Sequence, residues 1–235
     1  MFGRFGEEIR YTDSDVSISA TGSGELRRYI RASGGQRVEK ILPEGLATVI
    51  INPVEPVNLP EPVTRYLEIS FPAVVLPAKA VRRMYLTFPL EIGVFLETGG
   101  VISVLDLFSL VPAKYSLYGS PGAGAITRWH QSGITKNPPV VDRYRYGILD
   151  VTITNTTPGI VEVSRAVFDS NSMHLWYGES VVMTGAMDIY SPMIAQTTVS
   201  EMAPSGDMTR CIELYAARSI PSVHGRGHLM EFGVT

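Results

Sequence analysis

The chain has 235 residues, 20 basic and 23 acidic for a net charge of −3, with 45% apolar and 18% charged residues. That length suits one large β domain or two domains of about 100–130 residues each, and the composition excludes a disordered chain. Opposite charges are intermixed, so no global field draws in nucleic acid or an anionic membrane, and neither is expected as a partner.

Residues 1–8 lack the apolar core of a signal peptide, and no apolar run approaches the roughly 20 residues of a membrane span. Cys211 is the single cysteine, which rules out an internal disulfide and fits a reducing compartment. A cytoplasmic protein is therefore expected. The early basic residues Arg10, Arg27, Arg28, Arg31, Arg37 and Lys40 alternate with Glu7, Glu8, Asp13, Asp15, Glu25 and Glu39, the pattern of a solvated strand surface.

Residues 16–20 alternate through Val16, Ile18 and Ala20, 21–24 turn, and 25–31 return, which predicts a hairpin. A short strand follows at 37–41. The run 46–51 is apolar on both sides and β-branched, as in a buried central strand. Four prolines in the eleven residues 52–62 argue for a rigid extended connector lying across a sheet. Alternation resumes at 64–71 with Leu67, Ile69 and Phe71 inward.

The longest alternation is 84–97. Leu86, Phe88, Leu90, Ile92, Val94 and Leu96 fall on one side, and Tyr85, Thr87, Pro89, Glu91, Gly93, Phe95 and Glu97 on the other. Pro89 cannot donate to a ladder, so this stretch is either two strands with a bend or an edge strand there. Tyr85 and Phe95 are expected to be exposed. Gly99-Gly100 turns into a strand at 101–110, and two strands around the glycine-rich turn 119–125 account for 112–130.

Four blocks carry a resemblance: Pro-Val-Glu-Pro-Val-Asn-Leu-Pro at 53–60, Leu-Thr-Phe-Pro-Leu-Glu-Ile-Gly-Val-Phe at 86–95, Asp106-Leu107-Phe108, and Lys114-Tyr115-Ser116-Leu117-Tyr118-Gly119 followed by Arg128. In these the chain resembles an archaeal family known only as a domain of unknown function, over most of its length and most clearly from 50 to 130. The resemblance implies an archaeal, cytoplasmic protein; it brings no activity, cofactor or catalytic residue.

The proline-rich stretch 136–143 is the best domain boundary. Beyond it, strands at 147–155, 160–168, 173–177 and 180–184 alternate with turn signals. Residues 191–203 read equally as helix or strand, and 210–215 reads as the last long strand. The expected fold is all-β: two sandwich-like domains of mainly antiparallel strands, 1–140 and an immunoglobulin-like 141–235. One extended sandwich is the alternative.

The glycine-rich turn lacks the Lys-Ser/Thr and the helix of a phosphate loop, and reads as a hairpin turn. His224 and His228 have a zinc-like spacing, but Gly225 and Gly227 disfavour a helix; they are the candidate metal ligands, against a C-terminal strand or tail. His130 and His174, near tryptophans, read as partly buried structural histidines. Glu91 lies mid-strand between Pro89 and Gly93, where backbone or ligand can approach closely. With Asp106, Lys114, Tyr118 and Arg128 it forms a candidate polar cluster. A buried salt-bridge network fixing how two sheets meet is the preferred role, and a ligand site the alternative. Cys211 sits in an apolar pattern and reads as inert core.

No catalytic triad, Cys-His pair or paired-carboxylate motif is recognisable. The chain is thus expected to be a non-enzymatic sandwich module that self-associates into a homo-oligomer, with no cofactor. The alternative is a small-molecule or metal-binding protein, an enzyme included, built on Glu91, Asp106, Lys114 and Arg128.

Overall fold

Two-residue alternation of apolar side chains builds strands through most of the chain in this computed structural model, which describes residues 1–6, 8–23, 26–43, 47–214 and 228–230. Among these lie nineteen strands. The first ten are β1 (Gly3–Phe5), β2 (Ile9–Thr12), β3 (Val16–Ser23), β4 (Leu26–Ser33), β5 (Gln36–Pro43), β6 (Thr48–Val54), β7 (Tyr66–Leu76), β8 (Val81–Pro89), β9 (Glu91–Thr98) and β10 (Val101–Phe108). The rest are β11 (Tyr115–Tyr118), β12 (Ala125–Gln131), β13 (Tyr146–Asn155), β14 (Val161–Asp169), β15 (Trp176–Tyr177), β16 (Val181–Ser191), β17 (Ile194–Val199), β18 (Thr209–Arg210) and β19 (His228–Met230).

The strands form four sheets, mostly antiparallel, packed as sandwiches. A meander, β2-β3-β4-β5, lies over β1-β6-β9-β10, and Ile9, Val16, Ile18, Ala20, Tyr29 and Leu42 of the one meet Val49, Ile51, Ile92 and Val94 of the other. The second sandwich sets β11-β12-β7-β14 against the large sheet β18-β15-β16-β13-β8, to which β17 and β19 are added through β16. Its core holds Leu67, Ile69 and Phe168 against Met84, Leu86, Phe88, Leu149, Val151 and Met183. Each such side chain, fully removed from water, stabilises the fold by about 1.5–3 kcal/mol.

The long alternation at 84–97 is the spine between the two. Pro89 ends β8 at the edge of the large sheet, Leu90 alone intervenes, and β9 runs on between β6 and β10. Alternation survives the bend, so Leu86, Phe88 and Leu90 enter one core while Ile92 and Val94 enter the other. Proline at the bend loses no ladder bond, and Leu90 N–H instead donates to Arg145 O at 3.0 Å.

Several expectations need amending. Pro53 belongs to β6, an interior strand, opposite Ile92; it is tolerated because β1 pairs only with Val49–Ile51, leaving Pro53 flanked by β9 alone. Phe95 is fully buried, packed with Ile50, Val54 and Leu214, because the segment leading to Leu214 covers the outer face of β6 and β9. Tyr85 is half-buried, its backbone bridged to Thr135 and the Arg83 guanidinium 5.6 Å from its ring. Residues 191–203 resolve as the hairpin β16–β17, and the last long strand shrinks to Thr209–Arg210, after which Cys211 N–H donates to Leu175 O.

A division after residue 140 runs through two sheets. β13 pairs with β8 from Tyr146 to Thr154, and β14 pairs with β7 from Val161 to Asp169. The chain builds the first sandwich, crosses through the proline-rich connector to lay down β7 and β8, returns as β9 and β10, and crosses again.

Candidate functional site

The two sandwiches are tied together by an ion pair buried in both directions. Arg128 sits on β12, held parallel to β7 opposite Leu67 and antiparallel to β11 opposite Tyr115, and is 1% exposed. Its Nη1 donates to Glu91 Oε1 at 2.5 Å, and Glu91, 2% exposed, opens β9. The other carboxylate oxygen accepts the backbone N–H of Asn58, in the proline-rich connector, at 3.1 Å. One carboxylate thus joins strand, connector and the opposite sandwich. Among the described residues Arg128 Nε and Nη2 have no hydrogen-bond partner, although both are buried.

Arg128 also lines a cavity of about 150 Å³ with Lys114, Trp129, His130, Gln131 and Tyr146, closed by Pro89, Val111 and Pro112. Trp129 N–H donates to Lys114 O at 2.8 Å, and the Lys114 ammonium stands 5.9 Å from the Trp129 ring. Tyr146 arrives because β13 starts opposite Pro89, which brings its ring 5.6 Å from that of His130. His130 Nε2 lies 2.9 Å from Thr87 Oγ1.

Burial, then the charges of Arg128 and Lys114, lowers the His130 pKa from 6.5 to about 4, so the imidazole is neutral at pH 7. The unfolded chain takes up this proton first as pH falls, so the contribution is a loss of stability that grows from about pH 6.5 down to about pH 4. Discounted for partial exposure it amounts to about 1–2 kcal/mol. Urea denaturation at pH 7.5 and pH 4.5 is expected to show a smaller acid loss in His130→Gln than in the unaltered protein by that amount.

The five expected cluster residues do not all converge. Glu91 and Arg128 pair, and Lys114 joins Arg128 at the cavity. Asp106 is taken up inside the first sandwich, where its Oδ2 accepts from Arg31 Nε at 2.6 Å and from the Tyr29 hydroxyl at 2.8 Å. Tyr118 packs against the core of the second sandwich and does not line the cavity. The pattern understated Trp129, His130 and Tyr146. His130 carried a signal, lying two residues beyond Arg128 on the same strand; Tyr146 carried none, since only register brings it in.

His174 Nδ1 lies 2.7 Å from Glu213 Oε1, which also accepts from Arg210 Nη2 at 2.7 Å. Burial raises the Cys211 thiol pKa well above its ordinary value, leaving no thiolate at neutral pH. His224 lies outside the described residues, and of His228 only the backbone is described, so the candidate metal pair falls outside them. Among the described residues no group of three or more His, Cys, Asp or Glu is placed to hold a metal, and no helix is long and apolar enough to cross a membrane.

Residues 1–233 match a family described as protein of unknown function, DUF432. No curated protein and no solved structure matches the chain.

Proposed function

Since the chain belongs to the DUF432 family, whose description carries no activity, we propose a function from the geometry: a non-enzymatic ligand-binding β-sandwich module whose site is the cavity between Lys114, Arg128 and Trp129. The observation that carries this reading is a buried guanidinium with two unpartnered donors at the wall of a cavity where two sandwiches meet. Buried donors are normally satisfied, and one left unpaired costs about 1–3 kcal/mol, which a ligand that accepts from it recovers. Acid–base chemistry is disfavoured at His130, because an efficient general base has a pKa near the working pH, whereas this imidazole sits at about 4. The exposed aromatics that would have supported self-association are covered: Phe95 lies in a core and Tyr85 under Arg83.

Trp129 reports on the cavity. In a Trp176→Phe background, benzene-sized solutes of different charge are expected to change its fluorescence saturably. The added Val111→Phe, which fills the cavity from its wall, is expected to abolish the response. A panel in which no solute gives a saturable change, or in which Val111→Phe leaves the response intact, would overturn the reading.

A further inference from the structure

We infer that the cavity is selective for a small organic carboxylate, seated bidentate on the Nε/Nη2 edge of Arg128, with Lys114 as the second cation and Trp129 and Tyr146 flanking its apolar body. This rests on the binding reading above and adds the ligand's charge and shape.

The guanidinium presents its donors in a rigid planar fork. Nη1 is committed to Glu91. The two donors without a partner among the described residues, Nε and Nη2, are neighbours on one edge, and their spacing matches the two oxygens of a carboxylate. A water or a neutral carbonyl offers that edge a single oxygen, whereas a carboxylate answers both donors with charge-assisted bonds.

Charge balance points the same way. Glu91 neutralises Arg128, Lys114 adds one positive charge at the cavity, and no Asp or Glu lines it among the described residues. A monoanion therefore leaves the occupied site neutral, while a cation would meet uncompensated charge. In size, about 150 Å³ corresponds to a cavity that holds a benzene ring. The walls are mixed: Pro89, Val111 and Pro112 are apolar, and the Trp129 and Tyr146 rings offer flat faces. Inorganic phosphate shares the oxyanion chemistry but leaves those faces unused.

The test is isothermal titration of the full chain with benzoate, with its neutral isostere benzamide, and with inorganic phosphate. Benzoate is expected to bind roughly tenfold or more tightly than benzamide, and more tightly than phosphate. Lys114 is exposed, so Lys114→Gln folds normally; it is expected to weaken benzoate several-fold and leave benzamide unchanged. Equal binding of benzoate and benzamide would overturn the carboxylate inference while leaving the binding reading intact. Phosphate binding without benzoate would retain the arginine edge and overturn the organic ligand. Failure of all three probes, with no Trp129 response to any solute, would overturn both.

Discussion

Replacing Glu91 by alanine is expected to lower the unfolding free energy by about 3–5 kcal/mol, the cost of leaving one member of a buried ion pair without its partner. Arg128 cannot escape to water, being 1% exposed and hydrogen-bonded backbone to backbone within a three-stranded context of β7, β12 and β11. The lost carboxylate also frees the Asn58 N–H, so the connector loosens along with the junction. The cost arises from the orphaned charge rather than from the value of the pair itself. The double variant Glu91→Leu/Arg128→Met is therefore expected to recover most of it, to within about 1–2 kcal/mol of the unaltered protein. Urea midpoints at constant slope provide the measurement. If the double variant is as unstable as Glu91→Ala, the pair stabilises the junction in its own right and the orphaned-charge account fails.

How much of this could be read from the chain follows from which signals are local. The alternation at 84–97, the bend at Pro89, the hairpins at 16–31 and 99–101 and the turn at 119–125 are carried by residues adjacent in sequence, and these match the strands. Pairing between distant strands leaves no such trace. Nothing in 125–131 announces that β12 runs parallel to β7, or in 146–155 that β13 closes on β8, and the cavity exists only because of those two registers. The proline-rich stretch 136–143 looks like a linker but serves as a crossing between strands of one sandwich. The anticipated role of Glu91 as part of a buried salt bridge where sheets meet matches its pairing with Arg128; the cavity beside that pair was not legible.

Asp106 shows the same limit and gives the second large effect. Continuing the regular pairing that starts at the Gly99-Gly100 turn would set Asp106 opposite Gly93, on the face of Glu91 and Phe95. A β-bulge between Val104 and Asp106 places it opposite Val94 instead, and so turns its carboxylate into the first sandwich. There Arg31 donates from Nε at 2.6 Å and Tyr29 from its hydroxyl at 2.8 Å, while the Arg31 guanidinium lies 4.6 Å from the Phe108 ring. The Arg31 and Asp106 side chains are 4% and 9% exposed. Asp106→Ala is accordingly expected to cost about 3–5 kcal/mol, with Asp106→Asn milder because an amide oxygen still accepts from Tyr29.

Glu91 and Asp106 lie on opposite faces of one sheet and share no printed partner: the first serves Arg128 and Asn58, the second Arg31 and Tyr29. Their losses should then add. Two losses of that size approach the whole stability of a typical domain, about 5–15 kcal/mol, so additivity is better measured with the milder Glu91→Gln and Asp106→Asn than with the two alanines. The double variant is expected to equal the sum of the singles within about 0.5 kcal/mol. A larger coupling would mean that β9 transmits strain between its faces, and that the ligand cavity and the interior of the first sandwich respond as one unit.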